Sequence, residues 1–351
     1  MNISSFCLNV VWSEKLLKIS SRRYTGSKYK LRSWIKSLVL AHCSVHATFF
    51  DVFGGTGVIT AEILDFVQSA VINDFLYSNE ICYKAFFGRE GYDLQKLRRF
   101  VADVAIYDRQ SFTDNYVSVN YGDKYFQYND AKLIGFIREK IQRDYETGKL
   151  TEREFNILLT SLLYSLDRCA NTVGHYDAYV KKAFKTSFVF ELIEPIISEA
   201  EVKIYREDAN LLARRICADV AFVDPPYNSR QYSRFYHVME TIAKWDKPTL
   251  SGKAMKPPLE NMSEYCRVNA PIVFNDLIQN LKVRYIVVTY NNTYDSRSSS
   301  SRNKITLERI KEILNLRGKT QIFEKSHSRF NAGKTDKVNH KEILFITEVD
   351  E

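Results

Sequence analysis

The chain has 351 residues, of which 45% are hydrophobic and 26% charged, and carries a formal net charge of +8. This is the balance of a soluble globular protein with room for one large domain and a smaller second one, and its basic excess favours a polyanionic partner. Six cysteines stand singly without CxxC spacing, the histidines form no zinc pattern and no stretch approaches a transmembrane length, so no metal, no membrane and a reducing, cytoplasmic setting are expected.

The first stretch, residues 2–12, lacks an early basic region and a small-residue cleavage site, so no signal peptide is expected. Arg22-Arg23-Tyr24-Thr25-Gly26-Ser27-Lys28-Tyr29-Lys30-Leu31 is a basic, glycine-containing turn ahead of a helix predicted over 31–40. Such a helix start attracts anions, a carboxylate among them, or is simply solvated. Next, an apolar strand carrying Asp51 and Phe53 runs into Gly54-Gly55-Thr56-Gly57, a helical pattern follows through Leu64 and Val67, and residues 70–74 form a second strand ending in Asp74. Strand, glycine loop, helix, strand and acid is a nucleotide-binding layout, with Asp74 spaced for ribose hydroxyls. Thr60 occupies the place of the third glycine in G-x-G-x-x-G, which favours an adenosine cofactor without phosphates over a dinucleotide.

Between residues 83 and 197 helical periodicity dominates, with helices predicted around 94–100, 133–145 and 152–166 and a polar, Tyr-rich loop over 111–129. Gly174, His175, Tyr176, Lys181 and Lys182 join aromatic and basic side chains in one short span that suits DNA; a helical lid without macromolecular contact is the competing reading. The expected organisation is a sheet domain in two parts, 1–82 and 198–351, around a mostly helical insert, 83–197.

The sheet resumes at 202–205, after which Asp208 either meets the amino group of an adenine ring or caps a helix over 210–216. A strand over 218–223 then stops at Asp224-Pro225-Pro226-Tyr227, because proline fixes φ and has no N–H to give a sheet. Arg230 and Arg234, with the aromatics Tyr232, Phe235 and Tyr236, crowd the mouth of this motif. A Pro-rich loop (247–259), a strand (283–289), a serine-rich basic loop (295–303), a helix (307–316), a strand (320–323), a loop rich in Lys, Ser and Asn (325–341) and a last strand (342–347) complete the chain.

Asp-Pro-Pro-Tyr suits the chemistry of an exocyclic amine, whose lone pair is delocalised into its ring. An ionised aspartate accepts hydrogen bonds only, and the carbonyl of Pro225 is a second acceptor on stiff backbone. Two aimed acceptors let the nitrogen rehybridise towards an electrophile. Tyr227 offers a face on which a base taken out of a duplex can stack.

Together, the Tyr24–Lys28 turn, the Asp51–Gly57 loop, Asn73-Asp74, Glu207-Asp208 and Asp224-Pro225-Pro226-Tyr227 resemble, in this order, the Dam-type adenine-specific DNA methyltransferases. The resemblance implies a Rossmann-like mixed α/β sheet of the class I methyltransferase type, S-adenosylmethionine as cofactor, and methyl transfer to N6 of adenine in double-stranded DNA. It implies that Tyr24 and Lys28 serve the methionine end of the cofactor, that Asp51, Phe53, Gly54, Gly55 and Gly57 wrap it, that Asp74 takes the ribose and Asp208 the adenine amine. Asp224, Pro225, Pro226 and Tyr227 would form the transfer site, with Arg230, Arg234, His175, Tyr176, Lys181 and Lys182 on DNA. The insert stands where that family carries its target-recognition domain, and a paired restriction endonuclease is the expected partner. Tyr24 departs from the tryptophan frequent there. Competing readings are transfer to cytosine's exocyclic amine or to RNA adenine, and a non-catalytic DNA-binding module on the same fold.

Overall fold

The computed structural model describes residues 16–292, 302–326 and 341–350. Helix α1 (Arg32–His42) leads into β1 (Thr48–Asp51), α2 (Val58–Ile63), β2 (Ser69–Asn73) and α3 (Tyr77–Phe87). Four helices follow: α4 (Leu94–Ala105), α5 (Tyr116–Tyr121), α6 (Tyr128–Glu146) and α7 (Glu152–Cys169). The chain then forms β3 (Glu201–Tyr205), α8 (Ala209–Ala213), β4 (Cys217–Val223), α9 (Tyr232–Phe235), α10 (His237–Lys244) and α11 (Ala270–Asn280). It ends with β5 (Lys282–Asn291), α12 (Leu307–Asn315), β6 (Gly318–Ser326) and β7 (Lys341–Val349).

The strands make one sheet in the order β3-β2-β1-β4-β5-β7-β6. The first five are mutually parallel, while β7 runs antiparallel between β5 and β6. This is the expected Rossmann-like mixed sheet. Its central strands are apolar on both faces, as strands under two helical layers must be: Phe49, Val220 and Phe222 face one core, and Phe50, Ala221 and Val223 the other. Helices α8, α11 and α12 cover the second face, and α1, α2, α3 and α10 the first.

Helices α4 to α7 add to that first core instead of building a separate one. Helix α7 is buried along nearly its whole length, its polar face with Asn156, Thr160 and Asp167 included. Its start is fixed by a capping box in which Thr151 Oγ1 accepts from Glu154 N and Glu154 Oε2 accepts from Thr151 N. Arg138 of α6 ties this layer to the rest, donating to the end carbonyls of α10 at Ile242 (2.8 Å) and Ala243 (3.2 Å). The expected break between residues 82 and 83 lies inside α3, and the one at 197/198 lies just ahead of β3.

One predicted loop is corrected. Residues 111–129 contain α5, whose N-cap Asn115 accepts from Val117 N and Ser118 N while Ser118 returns a bond to the Asn115 backbone. Helices α3, α10 and α11 also arise where no helix was expected. Residues 2–12, and most of the two expected loops at 295–303 and 325–341, lie outside the described residues.

Candidate active site

The chain turns back on itself between β1 and β4: β2 and β3 extend to one side, β4 and β5 to the other. Ligands of open α/β sheets bind outside the C-terminal strand ends at such a switch point. A cavity of about 310 Å³ lies there, lined by the glycine loop after β1, Asp74 after β2, Asp208 after β3 and Asp224 with Pro226 after β4. Tyr24, Lys28, Asp51 and Phe53 complete the set of predicted residues on its wall.

The glycines are needed for two reasons. Gly55 and Gly57 adopt φ of +54° and +76°, which L side chains rarely reach. Gly54 does not adopt a left-handed φ, but a Cβ on it would come within 2.5 Å of Ile72 and 2.7 Å of the Tyr83 hydroxyl. Tyr83 holds the loop by donating to the Gly55 carbonyl at 2.8 Å. Asp74 spends its carboxylate on the same loop and on the start of α3, accepting from Gly55 N (3.0 Å) and Leu76 N (2.8 Å). Thr60, in the place of the missing glycine, donates to Asp51 Oδ2 at 2.8 Å. The other Asp51 oxygen is buried with no partner among the described residues. Burial pushes the Asp51 carboxyl up to about 7, against the Thr60 bond and with the help of Asp224 and Asp74; burial also raises Asp74 to about 6, against its hydrogen bonds to Leu76 and Gly55.

Asp224 is held by three donors. Lys28 Nζ lies 2.9 Å from Oδ2, while the Tyr227 hydroxyl (2.5 Å) and Thr289 Oγ1 (2.8 Å) donate to Oδ1. Glu342 joins them, 3.3 Å from Lys28 Nζ and 2.9 Å from the Tyr227 hydroxyl. Burial works to lower the Lys28 pKa, but the pull of Asp224 and Glu342 outweighs it and the net direction is upward, so Lys28 stays charged. Glu342 shifts upward through burial and the like charge of Asp224, with Lys28 opposing. The Tyr227 ring has Lys28 Nζ 4.8 Å from its centroid and Tyr290 packed at 4.5 Å. Pro225 is buried behind the wall.

Thr289 and Glu342 carry no sign of a site role in the sequence, whereas Tyr232 and Tyr236 stand there among the arginines and aromatics at the mouth of the motif. Tyr236 accepts Thr25 N on its hydroxyl at 2.7 Å, and Tyr232 donates to the Thr25 carbonyl at 3.1 Å. Tyr24 stacks on both rings, at 4.6 Å from Tyr236 and 5.4 Å from Tyr232. Their spacing, i and i+4 beside the motif, was a readable sign of one helical face. Glu342 offered no such sign: it opens an antiparallel strand, so its start, not its end, reaches the site edge.

Asp208 does cap α8, accepting from Leu211 N at 3.0 Å, while also lining the cavity. Of the residues expected on DNA, Lys181 and Lys182 are exposed. His175 stacks on Phe235 at 4.4 Å and Arg230 lies over the same ring. Arg234 donates to the Pro257 and Pro258 carbonyls, so it braces the proline loop. Tyr176 is corrected: it is fully buried and its hydroxyl donates to Asp167, which leaves no face for a nucleic acid.

The sequence matches the family described as D12 class N6 adenine-specific DNA methyltransferase over residues 24–295. The type II methyltransferase M.NlaIII of Neisseria lactamica is 29% identical over 333 residues, covering 91% of this chain and 95% of that protein. M.CviAII of Paramecium bursaria Chlorella virus 1 is 30% identical over 320 residues, covering 88% and 92%. The modification methylase StsI of Streptococcus sanguinis is 32% identical over 289 residues, 77% of this chain but 44% of that protein. The matched span contains the Tyr24 turn, the glycine loop and Asp-Pro-Pro-Tyr, and the chain belongs to the D12 class N6 adenine-specific DNA methyltransferases.

Proposed function

We propose that the switch-point cavity takes S-adenosylmethionine and that Asp224 receives the N6 amine of an adenine flipped from double-stranded DNA. The fit rests on the free, buried Asp51 oxygen, which suits a ligand ammonium, and on side-chain-free backbone at Gly54 and Gly55 along the cavity wall. Tyr24 and Lys28 would serve the methionine end, Asp74 the ribose and Asp208 the adenine amine. When bound, the cofactor supplies an electrophilic methyl on a positively charged sulfonium.

The residues of the chain supply the rest. Asp224 and the Pro225 carbonyl accept the two amine hydrogens, and Pro225-Pro226 keep both acceptors aimed as charge develops on nitrogen. Flipping a base costs a few kcal/mol, of which stacking on one aromatic ring returns ~1–3 kcal/mol. Tyr227 would need help from Tyr24 or Tyr232, both of which line the cavity. His175, Arg230, Lys181 and Lys182 are the proposed DNA contacts outside the site, and residues 83–197 the proposed target reader. By analogy with the modification methylases it resembles, the chain would work inside the cell beside a restriction endonuclease.

The observation that carries this reading is Asp224 at the end of β4, on the wall of a cavity built by the glycine loop and held by three donors. The test is incubation with tritiated S-adenosylmethionine and DNA, followed by nucleoside analysis. Label in N6-methyladenine supports it; label in N4-methylcytosine, or no label, overturns it.

A further inference from the structure

Asp224 and Glu342 are joined twice, each time through a donor that touches both. Lys28 Nζ is 2.9 Å from Asp224 and 3.3 Å from Glu342, and the Tyr227 hydroxyl is 2.5 Å and 2.9 Å from the same two groups. Lys28 is 5% exposed and Glu342 is 4% exposed, so neither charge reaches bulk water when its partner is taken away. Asp224 and Lys28 both line the cavity, and the Lys28 ammonium sits on Asp224 Oδ2. An ammonium in that place draws charge from the oxygen that an incoming amine needs as acceptor. Its departure would normally be blocked, because a buried cation stripped of its anion is strongly disfavoured. A second buried anion within hydrogen-bond reach removes that obstacle.

We propose, on the basis of the methyl-transfer reading above, that Glu342 is a positioning residue that retains Lys28 while the target amine replaces it on Asp224. Lys28 Nζ leaves Oδ2 and closes on Glu342 Oε1. No covalent bond breaks, no proton changes owner, and the net charge of the site is constant. Thr289, 2.8 Å from Oδ1, keeps the carboxylate in place during the exchange. The Tyr227 ring, 4.8 Å from Nζ, offers the cation a favourable face throughout. The antiparallel strand β7 explains why this role falls to Glu342: its first residues meet the C-terminal edge where the parallel strands deliver Asp51, Asp74 and Asp224.

The experiment is single-turnover methyl transfer with enzyme in excess, tritiated S-adenosylmethionine saturating for each protein, and long unmethylated DNA of mixed sequence. It compares the unaltered chain, Glu342→Gln and Glu342→Gln/Lys28→Met. Glutamine keeps an oxygen opposite Tyr227 but no longer holds Lys28 as an ion. The expected result for Glu342→Gln is a rate lower by about tenfold at neutral pH, with cofactor affinity by calorimetry within about threefold. Its rate should climb with pH as Lys28 loses its proton, over a range where the unaltered chain is flat. The double variant should be faster than Glu342→Gln alone, since nothing then covers Asp224. A Glu342→Gln rate and pH profile equal to those of the unaltered chain would overturn the proposal, as would a double variant no faster than the single one. An unaltered chain that labels no adenine would overturn the methyl-transfer reading and this one with it, a result visible without either variant.

Discussion

At Asp224 a single carboxylate is bound by an ammonium and two hydroxyls, all positioned by separate parts of the chain. If it is the acceptor for the target amine, Asp224→Ala should lower methyl incorporation by at least about a thousandfold while DNA retention on filters changes little; substantial turnover would remove it from the mechanism. Asp51 makes a separate prediction about pH. Its carboxyl is raised from 3.8 to about 7 by burial, so between those values the folded cofactor-free protein holds a proton that the unfolded chain has released. Stability contributed by this group is therefore present at low pH and lost as pH rises to about 7 and beyond, at ~1.4 kcal/mol per unit of pKa difference. Asp74, raised to about 6, acts in the same sense. Thermal melts of Asp51→Asn should show higher stability at pH 8 and a flatter decline between pH 4 and pH 7 (each pH being about where the two protonation states exchange). The same variant should bind S-adenosylmethionine more weakly by calorimetry.

Among the elements, those fixed by local chemistry were legible before the fold was known. The strand that stops at Pro225-Pro226, the glycine loop after β1 and the capped helix α7 carry their causes within a few residues. What stayed hidden depends on pairing between distant segments. Thr289 reaches Asp224, and Glu342 reaches Lys28 and Tyr227 beside it, only because β4, β5 and β7 lie side by side in the sheet, and no spacing in the sequence encodes that neighbourhood. Tyr176 misled for the complementary reason: an aromatic beside bases resembles a nucleic-acid contact, yet Asp167 and the core claim it. The capping box of α7 can be measured directly. Thr151→Ala removes the acceptor for Glu154 N and should cost about 1 kcal/mol in denaturant unfolding without altering the methylated sequence. Gly54→Ala should do more damage, since its Cβ would stand 2.5 Å from Ile72 in the sheet; weaker cofactor binding together with a lower melting temperature is the expected outcome.

For the whole molecule, a basic chain that wraps one acidic cavity with an added helical layer is suited to draw in DNA and admit a single base. The charge predicts strong salt dependence of DNA binding. Replacing exposed Lys181 and Lys182 by alanine should reduce the slope of log affinity against log salt by about one for each lysine that meets a phosphate. The target sequence should not change. Exchanging residues 83–197 for those of a relative should change it instead. The most direct test of the central claim is to sequence modified bases in DNA from a methylation-deficient host expressing either this chain or its Asp224→Ala variant. The expected result is N6-methyladenine at one recurring short sequence with the unaltered chain and none with the variant. Methylated cytosine, methyladenine scattered without sequence preference, or equal modification by the two proteins would contradict it.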